Sequence, residues 1–485
     1  MTHLVRRRAL AIVAAAALLL LCAAGVPGAR ATATTDFTAA QQTNTLKVLQ
    51  AFPPAMPGLG WTGNDFCTFA YVTCAPSSVS VVVTAGSTVS GSLPELPATG
   101  VDYAQVMVRQ LNFTGMGERL TGTLPSSWSS LSSIRRIELS SMKITGTLPA
   151  VWSSMAAVTN FLFSNSSLSG ALPPAWSSIT TLTQVALQNT QVSGTLPASW
   201  GSLKNMQYVW LFNTQLSGRL PPEWSSMTTL EDFTVWSTSV SGPLPSEWGS
   251  LKRLTRFAAD YTAVSGTLPP QWSSMGTNLR IHLTNTKVSG PLPAEWGSTS
   301  SMLQLRLTNT RVSGTLPETW RSMAAVTELL LSGTGLSGTL PAVWSSMSRL
   351  QSLNVAGCRL YGSLPVEWSS LPRPVTLTLT NNSFCGCVPA SWSAKAGLTV
   401  VVDASVTGGT CTTTNSCSVT GACGLEGCIA CAGASPSVCG ACSDAYFLTE
   451  ESTCVEYCED GAAAPSTAAL AALVVCMLVE ALIAA

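Results

Sequence analysis

Two histidines, five recurrent glutamates and a double Cys-x-x-Cys are the groups in this chain whose types and spacing suit chemistry. His3 lies among the first residues and His282 stands alone, so neither has a nucleophile at a legible spacing. Glu223, Glu247, Glu295, Glu318 and Glu367 each precede a tryptophan by one or two residues. Paired carboxylates can cleave glycosides, but recurrence at the same places of a repeat marks these as a solvated rim. Cys428-x-x-Cys431 and Cys439-x-x-Cys442 have the spacing of zinc ligands. In an oxidising compartment the same spacing reads as disulfides. A phosphate-cradling loop and an HExxH are both absent from the sequence. The expectation is no enzyme, no cofactor and no metal. With 24 Lys and Arg against 24 Asp and Glu, no basic face argues for nucleic acid either.

The two ends set the compartment. Arg6-Arg7-Arg8 followed by the apolar Ala9–Ala24 predicts a signal peptide over residues 1–33, with small-x-small cleavage options at Ala29–Ala31 and Ala31–Ala33. At the other end EDGAAAPST precedes an apolar tail with nothing basic after it. That layout predicts a glycosylphosphatidylinositol-attachment propeptide over 461–485, with Asp460, Gly461 or Ala462 as the lipid acceptor. A poor transmembrane helix is the alternative. The expected place is the outer face of the plasma membrane, with secretion as a second destination. Of 16 cysteines, Cys22 and Cys476 leave with these segments, and the even fourteen that remain permit complete pairing. Sequons at Asn112, Asn165 and Asn381 are candidate glycosylation sites.

What positions everything else is a repeat. Leu-Pro recurs every 24 residues from Leu124 to Leu364 and continues as Val388-Pro389. A glycine two before and a tryptophan four after keep the same step, so 12 of the 15 tryptophans occupy one repeat position. A unit such as Leu230–Leu251 opens with alternating apolar residues, as a short strand does. One unit cannot close a core alone, so the units must stack and bury Leu, Phe, Val and Trp against their neighbours.

The L-x-x-F-x-V-x-x-T-x-V-S-G-x-L-P unit resembles the leucine-rich repeat, in its plant-type 24-residue form. The resemblance implies an α/β solenoid with a parallel sheet on the concave face over residues 79–397. It also implies an N-terminal disulfide cap over 34–78 and a C-terminal cap with a Cys-rich module over 398–460. WTGNDFCTFAYVTC, Trp61–Cys74, resembles the plant-type cap, which implies a Cys67–Cys74 disulfide. LTVVV, Leu398–Val402, looks like a closing half-unit. The nine cysteines from Cys411 to Cys458 are odd in number, so a partner is expected from Cys358, Cys385 or Cys387. The ninth position, Asn in the family, is mostly Thr here, as at Thr190, Thr214 and Thr238; its hydroxyl is expected to bond to backbone across coils.

In that fold positions three, five, seven and eight of each unit face the concave side. Most carry Ser, Thr, Asn or Gln, but a central band differs. It begins with Tyr208, Trp210 and Phe212, then Asp232 and Trp236. Arg256, Asp260 and Tyr261 follow, and Arg280, His282 and Arg306 complete it. Trp, Tyr and Arg are enriched at binding hot spots, so this band is the candidate ligand-binding site.

The units VWSSM (Val151–Met155, Val343–Met347) and PPEWSSM (Pro221–Met227), with the Cys-rich end, resemble the promastigote surface antigen family of Leishmania and related trypanosomatids. That resemblance implies a lipid-anchored coat antigen without enzymatic activity. Its solenoid would interact with a host cell-surface or serum protein, or with a glycan. A secreted inhibitor of an extracellular hydrolase and a structural coat without a specific ligand are the alternatives.

Overall fold

A computed structural model describes residues 36–299, 301–372, 374–393 and 396–407, with four short strands at Cys428–Cys431, Cys439–Cys442, Tyr446–Leu448 and Cys454–Glu456. The expected signal peptide and the acceptors Asp460, Gly461 and Ala462 lie outside the described residues. Two compact units are present, each a stack of 24-residue coils. The first holds the chain up to Ser265 with Ser274–Arg280; the second holds Gly266–Ser273 and the chain from Ile281.

The first unit opens with a cap. Helix Ala39–Leu49 starts at a capping box: the Thr38 hydroxyl accepts from the Gln41 N–H, and the Gln41 side chain accepts from the Thr38 N–H. Val48, Leu49 and Phe52 are fully buried, covering the apolar end of the stack. The Cys67–Cys74 disulfide implied by the cap resemblance is present, with Cα atoms 5.6 Å apart. Trp61 stacks on Phe69 and donates its indole N–H to the Ala70 carbonyl at 2.7 Å.

Beyond the cap, short strands line one side of the coils, among them Gln184–Ala186, Tyr208–Trp210, Asp232–Thr234 and Arg256–Ala258. They pair in parallel and in register at the repeat step: Gln184 faces Tyr208, which faces Asp232, which faces Arg256. Side chains of one repeat position therefore form straight rows across the sheet.

The sequence reading expected one sheet, and the structure adds a second. Gln191–Thr195, Gln215–Arg219 and Ser239–Pro243 are also parallel strands, running through the Val-Ser-Gly segment. The glycine reads as a turn signal, yet it sits inside a strand at positive φ. At Gly218 (φ +78°) a Cβ would come within 2.7 Å of the Thr195 methyl on the preceding coil. Close approach of coils is what requires glycine there.

On the opposite side each Leu-Pro leads into a five-residue 3-10 turn such as Ala198–Ser202 or Pro222–Ser226. These turns take the place of the helices of an α/β repeat. The tryptophan in each turn is buried to within 2% of zero exposure, as the repeat position predicted. Trp200 stacks on Trp224 with ring centroids 6.2 Å apart and planes 8° from parallel. The Trp224 indole N–H donates to the Pro197 carbonyl at 2.9 Å. That same carbonyl accepts the Trp200 backbone N–H at 3.1 Å, so one proline oxygen closes its own turn and holds the next coil.

The ninth-position threonines correct the expectation of bonds across coils. Thr190 donates to the Leu187 carbonyl and Thr214 to the Leu211 carbonyl, each at 2.7 Å and each within its own coil. A hydroxyl has one proton to give, whereas an amide has two. Asn382, which keeps the family residue, reaches both the Leu379 carbonyl of its own coil and the Val355 carbonyl one repeat earlier.

In the second unit Met302–Arg306, Glu328–Leu330, Ser352–Asn354 and Val375–Thr378 form the same parallel rows. Leu398–Val401 adds a parallel strand to Val375–Thr378, as expected for a closing half-unit. Complete cysteine pairing is not observed. Cys358 is a buried free thiol whose Sγ lies 3.3 Å from the Thr334 hydroxyl, while Cys385 and Cys387 are both in disulfides. Cys358 fills the ninth position, where its sulfur reaches the Leu331 carbonyl of the preceding coil at 3.4 Å.

The proline–tryptophan bond can be isolated by substitution. Trp224→Phe keeps an aromatic ring beside Trp200 but leaves the Pro197 carbonyl without its indole donor. Urea unfolding should show a loss of roughly 1–3 kcal/mol for that change and roughly 3–5 kcal/mol for Trp224→Ala. No loss for Trp224→Phe would show that the ring alone carries the contribution.

Candidate functional site

Tyr208, Trp210, Phe212, Asp232, Trp236, Arg256, Asp260, Tyr261 and Arg280 lie in the first unit; His282 and Arg306 lie in the second. All of them are at least partly exposed. The repeat register sets the first group in rows. Position three gives Tyr208, Asp232 and Arg256; position five gives Trp210, Thr234 and Ala258. Position seven gives Phe212, Trp236 and Asp260, and position eight ends in Tyr261.

On the third row, which continues one repeat on to Arg280, the charges of Asp232 and Arg256 offset each other. Arg256 grips Asp232 through two parallel hydrogen bonds, Nε to Oδ1 at 3.0 Å and Nη2 to Oδ2 at 2.6 Å. Such fork-to-fork geometry is the stronger kind of ion pair. The Tyr208 hydroxyl donates to Glu231 at 2.8 Å, and Arg253 pairs with the same carboxylate. The hydrogen bond to Glu231, then burial, pushes the Tyr208 phenol above its ordinary range, so it remains a neutral donor at physiological pH.

The seventh row is aromatic. Phe212 and Trp236 stack with centroids 4.4 Å apart and planes 12° from parallel. Tyr208 and Trp210 lie 6.1 Å apart in a tilted arrangement. Tyr261 stands beyond this row, 61% exposed and at φ +55°. In other coils of the unit the same left-handed position holds Ser141, Asn165, Asn189, Asn213 or Ser237. Asparagine suits the conformation and also builds a ladder there, with Asn213 donating to Asn189 at 2.8 Å and Asn189 to Asn165 at 2.7 Å. Tyrosine has no such compensation, so its backbone is strained.

In the second unit His282 Nε2 lies 3.3 Å from Gln304 Oε1, and Arg306 donates to Glu328 at 2.6 Å. The five glutamates before the tryptophans are all exposed on the 3-10 turns, away from these rows, which agrees with the rim reading. Among the described residues no group of three or more His, Cys, Asp or Glu is placed to hold a metal. No helix among them is long and apolar enough to cross a membrane.

Sequence reasoning missed Gln188, Thr234, Glu231 and Arg253. Glu231 and Arg253 are off the concave positions and enter only as partners of Tyr208. Gln188 and Thr234 are ordinary concave residue types, and nothing in the sequence separates them from their neighbours.

No family model matches the chain. The surface membrane glycoprotein GP46/M-2 of Leishmania amazonensis is 46% identical over 147 residues, which is 30% of this chain and 30% of that protein. The resemblance to Leishmania surface antigens is thus met by a surface glycoprotein of that genus, matched over less than a third of its length. Among solved structures, the leucine-rich-repeat ectodomain of the Arabidopsis thaliana receptor kinase GASSHO1/SCHENGEN3 aligns with a TM-score of 0.64 and 24% identity. That alignment covers 75% of this chain and 43% of the receptor. The leucine-rich-repeat protein LIC12759 of Leptospira interrogans aligns with a TM-score of 0.51 and 20% identity, over 62% of this chain and 74% of its own. At these identities the likeness shows the fold, and the chain is a leucine-rich-repeat solenoid.

The strain at Tyr261 is measurable. Tyr261→Asn places the residue type of the other coils in the left-handed position and should raise stability by about 1 kcal/mol. A lower thermal midpoint for this variant would mean that the tyrosine ring packs usefully and the backbone cost is offset locally.

Proposed function

We propose that the chain is a glycosylphosphatidylinositol-anchored surface antigen of a protozoan parasite. Its first-unit concave patch binds a host cell-surface or serum component. The observation that carries this reading is the stacked Phe212–Trp236 pair beside the exposed, strained Tyr261 on the concave face. Exposed aromatics in a cluster favour contact with another molecule, and backbone strain is tolerated where it serves one. The surface-glycoprotein relative supports display at the cell surface. The absence of a base–nucleophile arrangement among the described side chains favours binding over catalysis.

Protein released from expressing cells by phosphatidylinositol-specific phospholipase C is the material for the test. It should bind host cells, and Trp236→Ala should weaken that binding at least about tenfold while the thermal midpoint moves by only a few degrees. No release by the lipase would overturn the anchor, and unchanged binding of Trp236→Ala would overturn the patch.

Glycosylation divides along the same geometry. Asn165 and Asn381 are exposed at the left-handed position of their coils. The Asn165 amide uses its oxygen to accept from Asn189, while its nitrogen reaches only Ser141 at 3.4 Å. Asn112 is half-buried, and its amide nitrogen donates to Glu138 at 2.9 Å. Glycopeptide mass spectrometry should find Asn165 and Asn381 occupied and Asn112 bare; a glycan on Asn112 would contradict this.

A further inference from the structure

Three buried side-chain polar atoms among the described residues have no hydrogen-bond partner: Gln188 Oε1, Trp210 Nε1 and Thr234 Oγ1. They fall on three consecutive coils of the first unit, all on the concave face. Trp210 and Thr234 are register partners in adjacent strands. Gln188 lies one repeat before Phe212 in the seventh row. Residue type does not explain them. The ninth-position threonines of the same coils, Thr214 and Thr238, are buried and donate to carbonyls at 2.7 Å. The frame tryptophans on either side, Trp200 and Trp224, donate to proline carbonyls at 3.0 and 2.9 Å. Leaving such a group buried and unpaired is costly, and here three such groups fall in one place.

Size and charge define what would satisfy them. The fifth row carries the small Thr234 and Ala258, which are 1% and 4% exposed although they face the concave side. Larger side chains flank them: Asp232 and Arg256 in the third row, Trp236 in the seventh. The third-row carboxylate and guanidinium are already paired with each other. The missing partners are therefore one acceptor for an indole N–H, one donor for an amide oxygen and one group of either kind for a hydroxyl. Aromatic faces lie beside them for an apolar surface.

We infer that the patch takes a neutral glycan, whose hydroxyls serve Trp210, Thr234 and Gln188 while the C–H face of a pyranose lies on the Phe212–Trp236 stack. This rests on the reading of the patch as the binding site and adds the ligand's chemistry. Sugar hydroxyls both donate and accept, and a hexose ring has one face of C–H groups. Because the three atoms are covered in the free protein, binding proceeds with a rotation of a neighbouring side chain, a common change at interfaces.

The test uses the purified full chain and an array of neutral mannose-, galactose- and glucose-containing oligosaccharides, with affinities from tryptophan fluorescence. Thr234→Val removes the orphan hydroxyl while keeping the shape, and Trp210→Phe removes the indole N–H. Both should fold with unchanged or greater stability and bind the selected oligosaccharide about tenfold more weakly, the equivalent of about 1.4 kcal/mol. No neutral oligosaccharide bound by the wild type, or unchanged affinity in both variants, overturns the inference. Host cells stripped of glycans by glycosidases separate the two levels. Undiminished binding to stripped cells that is still lost in Trp236→Ala keeps the patch as the site and overturns the glycan. Oligosaccharide binding lost in Thr234→Val, without any binding to host cells, supports the glycan and removes the host-cell reading.

Discussion

The bond from a tryptophan N–H to the proline carbonyl of the previous coil is the constraint on which the rest of the molecule depends. A proline carbonyl at the head of each 3-10 turn accepts from its own turn and from the indole of the next. Proline cannot continue a strand, so the chain must bend there, and the bend aims the carbonyl along the stack. The indole then does two things at once. It fills the widest part of the coil with apolar volume, and its polar edge is satisfied without water. Since the same bond recurs from coil to coil in each unit, spacing on the outer side is held to one value. The inner strands can then meet in register.

Register decides what the inner face can do. With rows straight across coils, a residue one repeat away is a direct neighbour, and long side chains find partners there. Arg256 reaches Asp232 along its row in this way, and Arg306 reaches Glu328 diagonally on the next coil. Asparagine at the left-handed position does the same through its amide, making a ladder that satisfies each rung from the next. These pairs are partly exposed, so each adds little to stability. Their larger effect is to consume charge. Where Asp232 meets Arg256 the face is locally neutral, and beside that pair it offers aromatic surface and uncharged hydrogen-bonding groups.

The sequence alone made the frame legible because the frame is enforced once per coil. Leu, Pro, Gly and Trp at fixed steps leave one architecture, and burial of every repeat tryptophan follows from it. The Cys67–Cys74 bridge was legible through its likeness to known caps. Other features depend on where a backbone goes after it bends. The second sheet runs through Ser-Gly, which reads as a turn because glycine permits several conformations and only the neighbouring coil selects one. The threonine bonds stay within a coil because a single hydroxyl proton is captured by the nearest carbonyl. Cys358 is a buried free thiol, which a count of cysteines does not reveal. The candidate residues Tyr208 to Tyr261 were found by type and row, but the partners of Tyr208 and the unpaired Gln188 and Thr234 required coordinates.

The departures from the repeat's own rules are local. In the coils that carry the patch, the frame is intact: Trp224 and Trp248 keep their proline carbonyls and Thr238 and Thr262 keep theirs. Strain and unpaired polar groups therefore do not come from a poorly formed coil. They sit only at positions the frame leaves free, where many other side chains would fit and where neighbouring coils carry unstrained ones. A chain whose levels otherwise agree has little reason to hold a left-handed tyrosine and three orphan polar atoms within a few coils. Their coincidence with the aromatic rows is what the proposed binding role accounts for and packing alone does not.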